Sequence, residues 1–200
     1  YQMLKAMCHT YDDLRIDKHH MMVISPDEGA LNRNIYYSSA MGVDMGMFYK
    51  RRDYTRVVNG RNPIVAHEYL GDSVEGKDVF VADDIIASGD SILDLAHNLK
   101  RRKAKRVFAG ATFAFFTSGL EAFDKAYAEG VIDHVFATNL TYTPQEVLDR
   151  PWFSQADMSK YMAFVIATLN HDQSLSYLLN PWNRIEKLLT KYRADHPVED

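Results

Sequence analysis

The chain has 200 residues, a formal net charge of −4 and a single cysteine, with 46% hydrophobic and 25% charged residues. That length and balance suit one globular domain with a sizeable core and exclude a disordered chain. The acidic balance argues against general nucleic-acid binding, which needs a basic footprint.

Cys8 alone excludes an intrachain disulfide and a cysteine-rich zinc site, and it fits a reducing, cytoplasmic compartment. No apolar run reaches the roughly 18–20 residues of a membrane-spanning helix, and no signal peptide is visible. The chain opens at Tyr1 inside a helical pattern, with Met3, Leu4, Met7, Tyr11 and Leu14 at helical spacing. Such a start is expected of part of a longer polypeptide.

Continuous apolar runs at 21–24, 41–49, 79–82, 106–116 and 131–137 read as strands covered on both faces. Helical patterns at 30–41, 91–102 and 119–128 lie between them. The stretch 159–170 is apolar almost all round, which predicts a deeply packed helix. An amphipathic helix is predicted over 181–192, with Trp182 packing on the domain or on a partner subunit. Residues 193–200 read as a frayed tail after a domain spanning 1–192. This alternation predicts an α/β fold, a doubly wound and mostly parallel sheet flanked by helices. Ligands in such folds sit beyond the carboxyl ends of the strands.

Three of those strand ends carry chemistry. "SPDEGALNR" (25–33) follows the first apolar run, "KRRDYTR" (50–56) the second, and "DDIIASGDS" (83–91) the third. Two are acidic and one is basic, a division that suits a metal-bound, phosphate-rich ligand. In the third, Ala87, Ser88, Gly89, Asp90 and Ser91 lie directly before a helix, where backbone N–H groups lack partners and the dipole is positive. Small residues let a ligand approach that backbone, and Ser88 and Ser91 add hydroxyl donors. The bland alternative is an ordinary helix cap. Asp83 and Asp84 are poor phosphate partners but good acceptors for sugar hydroxyls, so a phosphorylated sugar would use both halves. The segment 50–77 is long, polar and carries Arg56 and Arg61; it reads either as a lid or as a solvated basic loop. The eight histidines show no metal-ligand spacing.

"VFVADDIIASGDSI" (79–92) resembles the phosphoribosyl-diphosphate fingerprint of the type I phosphoribosyltransferase fold. "VISPDEGALNR" (23–33), "KRR" (50–52), "VEGKDVFVADD" (74–84) and "HDQSLSYLL" (171–179) resemble, in order, segments of ribose-phosphate diphosphokinases. The resemblance implies that this chain corresponds to the second of that family's two similar domains. It implies transfer of a diphosphoryl group from ATP to ribose 5-phosphate, with Mg²⁺ as cofactor and a homo-oligomer as the assembly. Residue by residue, it implies that Asp83 and Asp84 hold the ribose hydroxyls and that 87–91 bind the 5-phosphate. Asp27 would support Mg²⁺, and Lys50 and Arg52 would clamp the transferring phosphates. Asp90, Ala30 and Tyr49 depart from the family pattern; Asp90 is expected to point outward while its N–H donates. The departures keep two alternatives open, a phosphoribosyltransferase and a non-catalytic regulatory homologue.

Overall fold

The computed structural model describes residues 1–52 and 64–197, the side chains of 50–52 and 64–67 excepted. In chain order its main elements are α1 (Gln2–Thr10), β1 (Met21–Ser25), α2 (Leu31–Met41), β2 (Asp44–Arg52), β3 (Ile64–Leu70) and β4 (Asp78–Ile86). There follow α3 (Asp90–Arg101), β5 (Arg106–Ala114), α4 (Glu121–Ala128), β6 (His134–Thr138), α5 (Gln145–Leu148) and β7 (Phe153–Ala156). The chain finishes with α6 (Ser159–Asn170), α7 (Ser176–Leu179) and α8 (Trp182–Asp195). None of these helices is long and apolar enough to cross a membrane.

Seven strands form one sheet in the order β3-β2-β1-β4-β5-β6-β7, and every pairing is parallel except β2 with β3. Strand residues alternate between two cores, as the two-residue period requires. Met22, Ile24, Val79, Val81, Val107 and Val135 pack with α3 and α4 on one face. Met21, Val23, Phe80, Phe108 and Phe136 pack with α1 and α8 on the other. Burial on both faces explains why these strands read as unbroken apolar runs.

The structure corrects several expectations. Helix α1 ends at Thr10, and Tyr11 turns to extended backbone. The Tyr192 hydroxyl accepts from the Leu14 N–H at 3.0 Å and donates to the Tyr11 carbonyl at 2.8 Å, tying the next segment to α8. The span 50–77 is not one loop: β3 returns antiparallel along β2, pairing His67 with Lys50 and Ile64 with Arg52. Arg56 and Arg61 lie outside the described residues, so the lid reading falls there too. The short strand β7 was not anticipated from its four-residue apolar-polar pattern. Helix α8 continues to Asp195, and Arg193 donates to the carbonyl of Ile16 at 2.8 Å. Trp182 packs edge-on against Tyr36, with ring centroids 6.4 Å apart.

The largest correction concerns α6, which buries none of its residues. Tyr161, Val165 and Thr168 form a half-buried stripe, while Ile166 is 64% and Leu169 58% exposed. All-round apolarity signalled a buried helix. In the fold, however, the two sheet faces are covered by other helices, α1, α2 and α8 on one side and α3 and α4 on the other.

His134 opens β6 and is buried, its Nε2 lying 2.8 Å from the Ser154 hydroxyl and its ring 4.6 Å from that of Phe136. Burial lowers its pKa from 6.5 to about 4. The unfolded chain therefore binds the proton first as pH falls, so stability is full above pH 6.5 and declines towards pH 4. His134→Gln should flatten that decline, which is worth up to about 3 kcal/mol. Urea unfolding between pH 7 and 4 measures it; an unchanged acid limb would assign the loss to other groups.

Candidate functional site

Strand order reverses at β1: the chain leaves β1 through α2 to β2 on one side, while β4 pairs on the other. A crevice opens at such a switch point, beyond the carboxyl ends. Here β1 pairs with β4 only as far as Ile24 with Val81, and then turns away at Pro26. Strand β4 continues to Ile86 beside β5, so Asp83 and Asp84 stand within the strand and not in the loop expected to follow it.

The edge that β1 leaves bare is closed by a side chain. Asn34 of α2, fully buried, donates Nδ2–H to the Ala82 carbonyl at 2.8 Å, and its Oδ1 accepts from the Ala82 N–H at 3.1 Å. Its amide thus supplies the two bonds a neighbouring strand would have made. The same Nδ2 donates to the Ala30 carbonyl at 2.9 Å, fixing the amide to the start of its own helix. Two residues on, the Asp84 N–H donates to Asp83 Oδ1 at 2.8 Å, and the Ile85 N–H donates to Asp84 Oδ1 at 3.0 Å. Each acid is therefore oriented by the backbone that follows it.

Arg33, beside Asn34, spans both acids: Nη1 lies 3.4 Å from Asp83 Oδ1 and Nη2 lies 3.7 Å from Asp84 Oδ2. Burial raises the Asp83 carboxyl above its ordinary value, while hydrogen bonding to Asp83 lowers that of the exposed Asp84. Of the two, Asp83 is the one that takes a proton first.

Past Ile86 the chain is pinned to the end of β5, with the Phe115 N–H on the Ile86 carbonyl and the Thr117 N–H on the Ala87 carbonyl. Gly89 then turns into α3 with φ +97°, a left-handed conformation that favours glycine. Glycine at the N-cap supplies no side-chain cap, and the Asp90 N–H at the head of α3 donates to the Ser88 hydroxyl at 3.4 Å. That hydroxyl in turn donates to Asp90 Oδ2 at 2.9 Å. The first turn of α3 keeps its positive end facing a cleft of about 200 Å³.

That cleft is lined by Asp27, Asp83, Ala87, Ser88, Gly89 and Ser91, so the fold brings together six of the residues singled out in the sequence. Asp84 and Asp90 stand off its lining, both exposed. Lys50 and Arg52 sit at the end of β2, two strands from β4, with side chains outside the described residues. Arg33 and Asn34 were not singled out. Their signal was a polar residue leading the inward stripe of α2, which buries Asn34, Ser38 and Met41.

Asp27 forms a turn in which its Oδ1 accepts from the Ala30 N–H at 3.0 Å. Among the described residues no cluster of three or more His, Cys, Asp or Glu could hold a metal ion. One carboxylate fits Mg²⁺ only where ligand phosphates and water complete the shell, which is how that ion is commonly held.

The phosphoribosyl transferase domain model matches residues 5–141. A ribose-phosphate pyrophosphokinase of Vibrio cholerae is 34% identical over 160 residues, covering 80% of this chain and 48% of the relative. One of Mycoplasma pneumoniae is 28% identical over 163 residues, covering 80% and 47%. The chain thus spans about half the length of the curated relatives it matches. Among solved structures, a phosphoribosylpyrophosphate synthetase from Mycobacterium smegmatis superposes with a TM-score of 0.66 at 22% identity, over 86% of this chain and 51% of that one, a likeness of fold. The chain belongs to the phosphoribosyl transferase domain family and is homologous to the carboxy-terminal half of ribose-phosphate pyrophosphokinases.

Proposed function

We propose that this chain is the ribose 5-phosphate-binding half of a ribose-phosphate diphosphokinase. The observation that supports it is one cleft holding a sugar-type acceptor, Asp83, beside a glycine-capped helix N-terminus framed by Ser88, Gly89 and Ser91. In this reading the backbone N–H groups at the head of α3 hold the 5-phosphate, with Ser91 adding a hydroxyl. Asp83 and Asp84 accept from the ribose hydroxyls and set the ring. That leaves the 1-hydroxyl towards the end of β1, where Asp27 stands.

Diphosphoryl transfer to that hydroxyl needs positioning and charge neutralisation, not a covalent nucleophile. Mg²⁺, when bound with the nucleotide phosphates, supplies part of that neutralisation. Lys50 acts as a point charge and Arg52 as a fork on the same phosphates. ATP binding and turnover belong to the longer polypeptide, and this chain alone is expected to bind the sugar without turning over nucleotide. A homo-oligomer remains part of the proposal.

Calorimetry with ribose 5-phosphate should show one site per chain. Asp83→Asn should weaken it about tenfold, the worth of a hydrogen bond to a charged acceptor. No heat from the unaltered chain would remove the reading. The Ser88–Asp90 bond favours a second reading, a non-catalytic homologue, because it commits a hydroxyl that phosphate would otherwise use. If Asp90→Gly raised phosphate affinity more than tenfold, that second reading would gain.

A further inference from the structure

We infer that Arg33 is a positioning residue that determines sugar specificity, by holding Asp83 and Asp84 as a matched pair of acceptors for adjacent hydroxyls. The inference rests on the ribose 5-phosphate reading above. Its basis is geometric. One guanidinium reaches both carboxylates with different nitrogens, Nη1 to Asp83 and Nη2 to Asp84. A planar fork can span two acids in this way, whereas an ammonium acts from a single point.

The separations matter as much as the pairing. At 3.4 and 3.7 Å the contacts are longer than the 2.7–2.9 Å of a tight charge-assisted bond. Arg33 therefore offsets the repulsion between the acids while taking only one acceptor position by hydrogen bond, on Asp83 Oδ1. Each carboxylate has about four acceptor positions. On Asp83 the Oδ1 takes the Asp84 N–H and the guanidinium, and on Asp84 the Oδ1 takes the Ile85 N–H. Among the described residues no other hydrogen-bond donor takes the remaining positions, which leaves them to hydroxyl donors.

Arg33 itself is placed by its neighbour. Asn34 locks α2 to Ala82, the residue before Asp83, so the register between Arg33 and the acids is set by a buried bond pair. Asp83 is already the first of the pair to take a proton, and loss of the guanidinium removes a positive charge that favours its ionised form, so it would protonate more readily. A protonated Asp83 would present a donor where the sugar needs an acceptor.

The test compares ribose 5-phosphate with 2-deoxyribose 5-phosphate by calorimetry on the 200-residue chain, Arg33→Gln and Arg33→Lys, with thermal unfolding as a control. Phosphate contacts are common to both sugars, so the affinity ratio isolates the hydroxyl contribution. The unaltered chain should prefer ribose 5-phosphate about tenfold. Arg33→Gln should cut that preference to about twofold while leaving affinity for inorganic phosphate unchanged, and Arg33→Lys should restore it in part, through charge without the fork.

An unchanged preference in Arg33→Gln overturns the inference. So does equal weakening of both sugars with a lowered melting temperature, the mark of a simple tie between α2 and β4. If the unaltered chain binds both sugars equally, the phosphate assignment survives and this inference fails; if it binds neither, both fail.

Discussion

Asn34→Leu should destabilise the chain by about 3 kcal/mol, because it leaves the Ala82 N–H and carbonyl buried without partners. The substitution is close in size and more apolar, so a view of stability based on burial alone expects little change. The bonding expects a large one: Asn34 is fully buried and makes three bonds of 2.8–3.1 Å, two of them to Ala82. For a chain of this length the melting temperature should fall by about 9 °C. Asn34→Asp sharpens the test. It keeps an acceptor for the Ala82 N–H, loses both donated bonds and buries a charge, so it should cost at least as much. Urea unfolding reads both, and a loss below about 0.5 kcal/mol for Asn34→Leu would show that water or backbone movement satisfies Ala82 instead. The site should report the same event, since Asp83 follows Ala82 directly.

Gly89→Ala should cost a similar amount, about 3 kcal/mol, by adding left-handed strain to overpacking. Any side chain is strained at φ +97°, and the new Cβ would collide with the edge of the Phe123 ring. That ring cannot yield cheaply. It is fully buried, stacked on Trp152 at 5.2 Å and edge-on to Phe116 at 5.0 Å. A double-mutant cycle separates the two contributions. With Phe123→Leu in the background, the collision is relieved and only the backbone strain of about 1–2 kcal/mol should remain. An undiminished cost there would place the whole effect in the turn. Ribose 5-phosphate affinity should fall with Gly89→Ala in either background, because the turn that aims the α3 N–H groups is displaced.

Most of the sheet could be read from the residues because burial on both faces writes itself as unbroken apolar runs, as in 79–82 and 21–24. The boundary of β4 could not. Asp83 and Asp84 look like the end of a strand, yet the strand continues because β5 still pairs with it and a side chain serves the other edge. That service comes from Asn34, 48 positions away, and no local pattern announces it. Strand β3 was hidden for a different reason: it lies at the sheet's end, pairs antiparallel and lacks the apolar run that marks the interior. Helix α6 stays exposed despite its apolarity because hydrophobicity states what a segment would bury, not whether any surface is left to receive it. At the cleft, small residues at the head of a helix pointed to Ala87, Ser88, Gly89 and Ser91, which line it, whereas Asp90 does not. The pairing of Ser88 with Asp90, and the span of Arg33 across two acids, depend on side-chain directions that no sequence pattern encodes.

The self-bonded carboxylates of β4 have a thermodynamic consequence. Asp83 and Asp84 each accept from the amide of the following residue, so their rotors are restrained before any ligand arrives. Ordering a free side chain on binding costs about 0.5–1.5 kcal/mol. Here that entropy was surrendered during folding, and association should be limited by stripping water from the acids, leaving an enthalpic penalty and little conformational one.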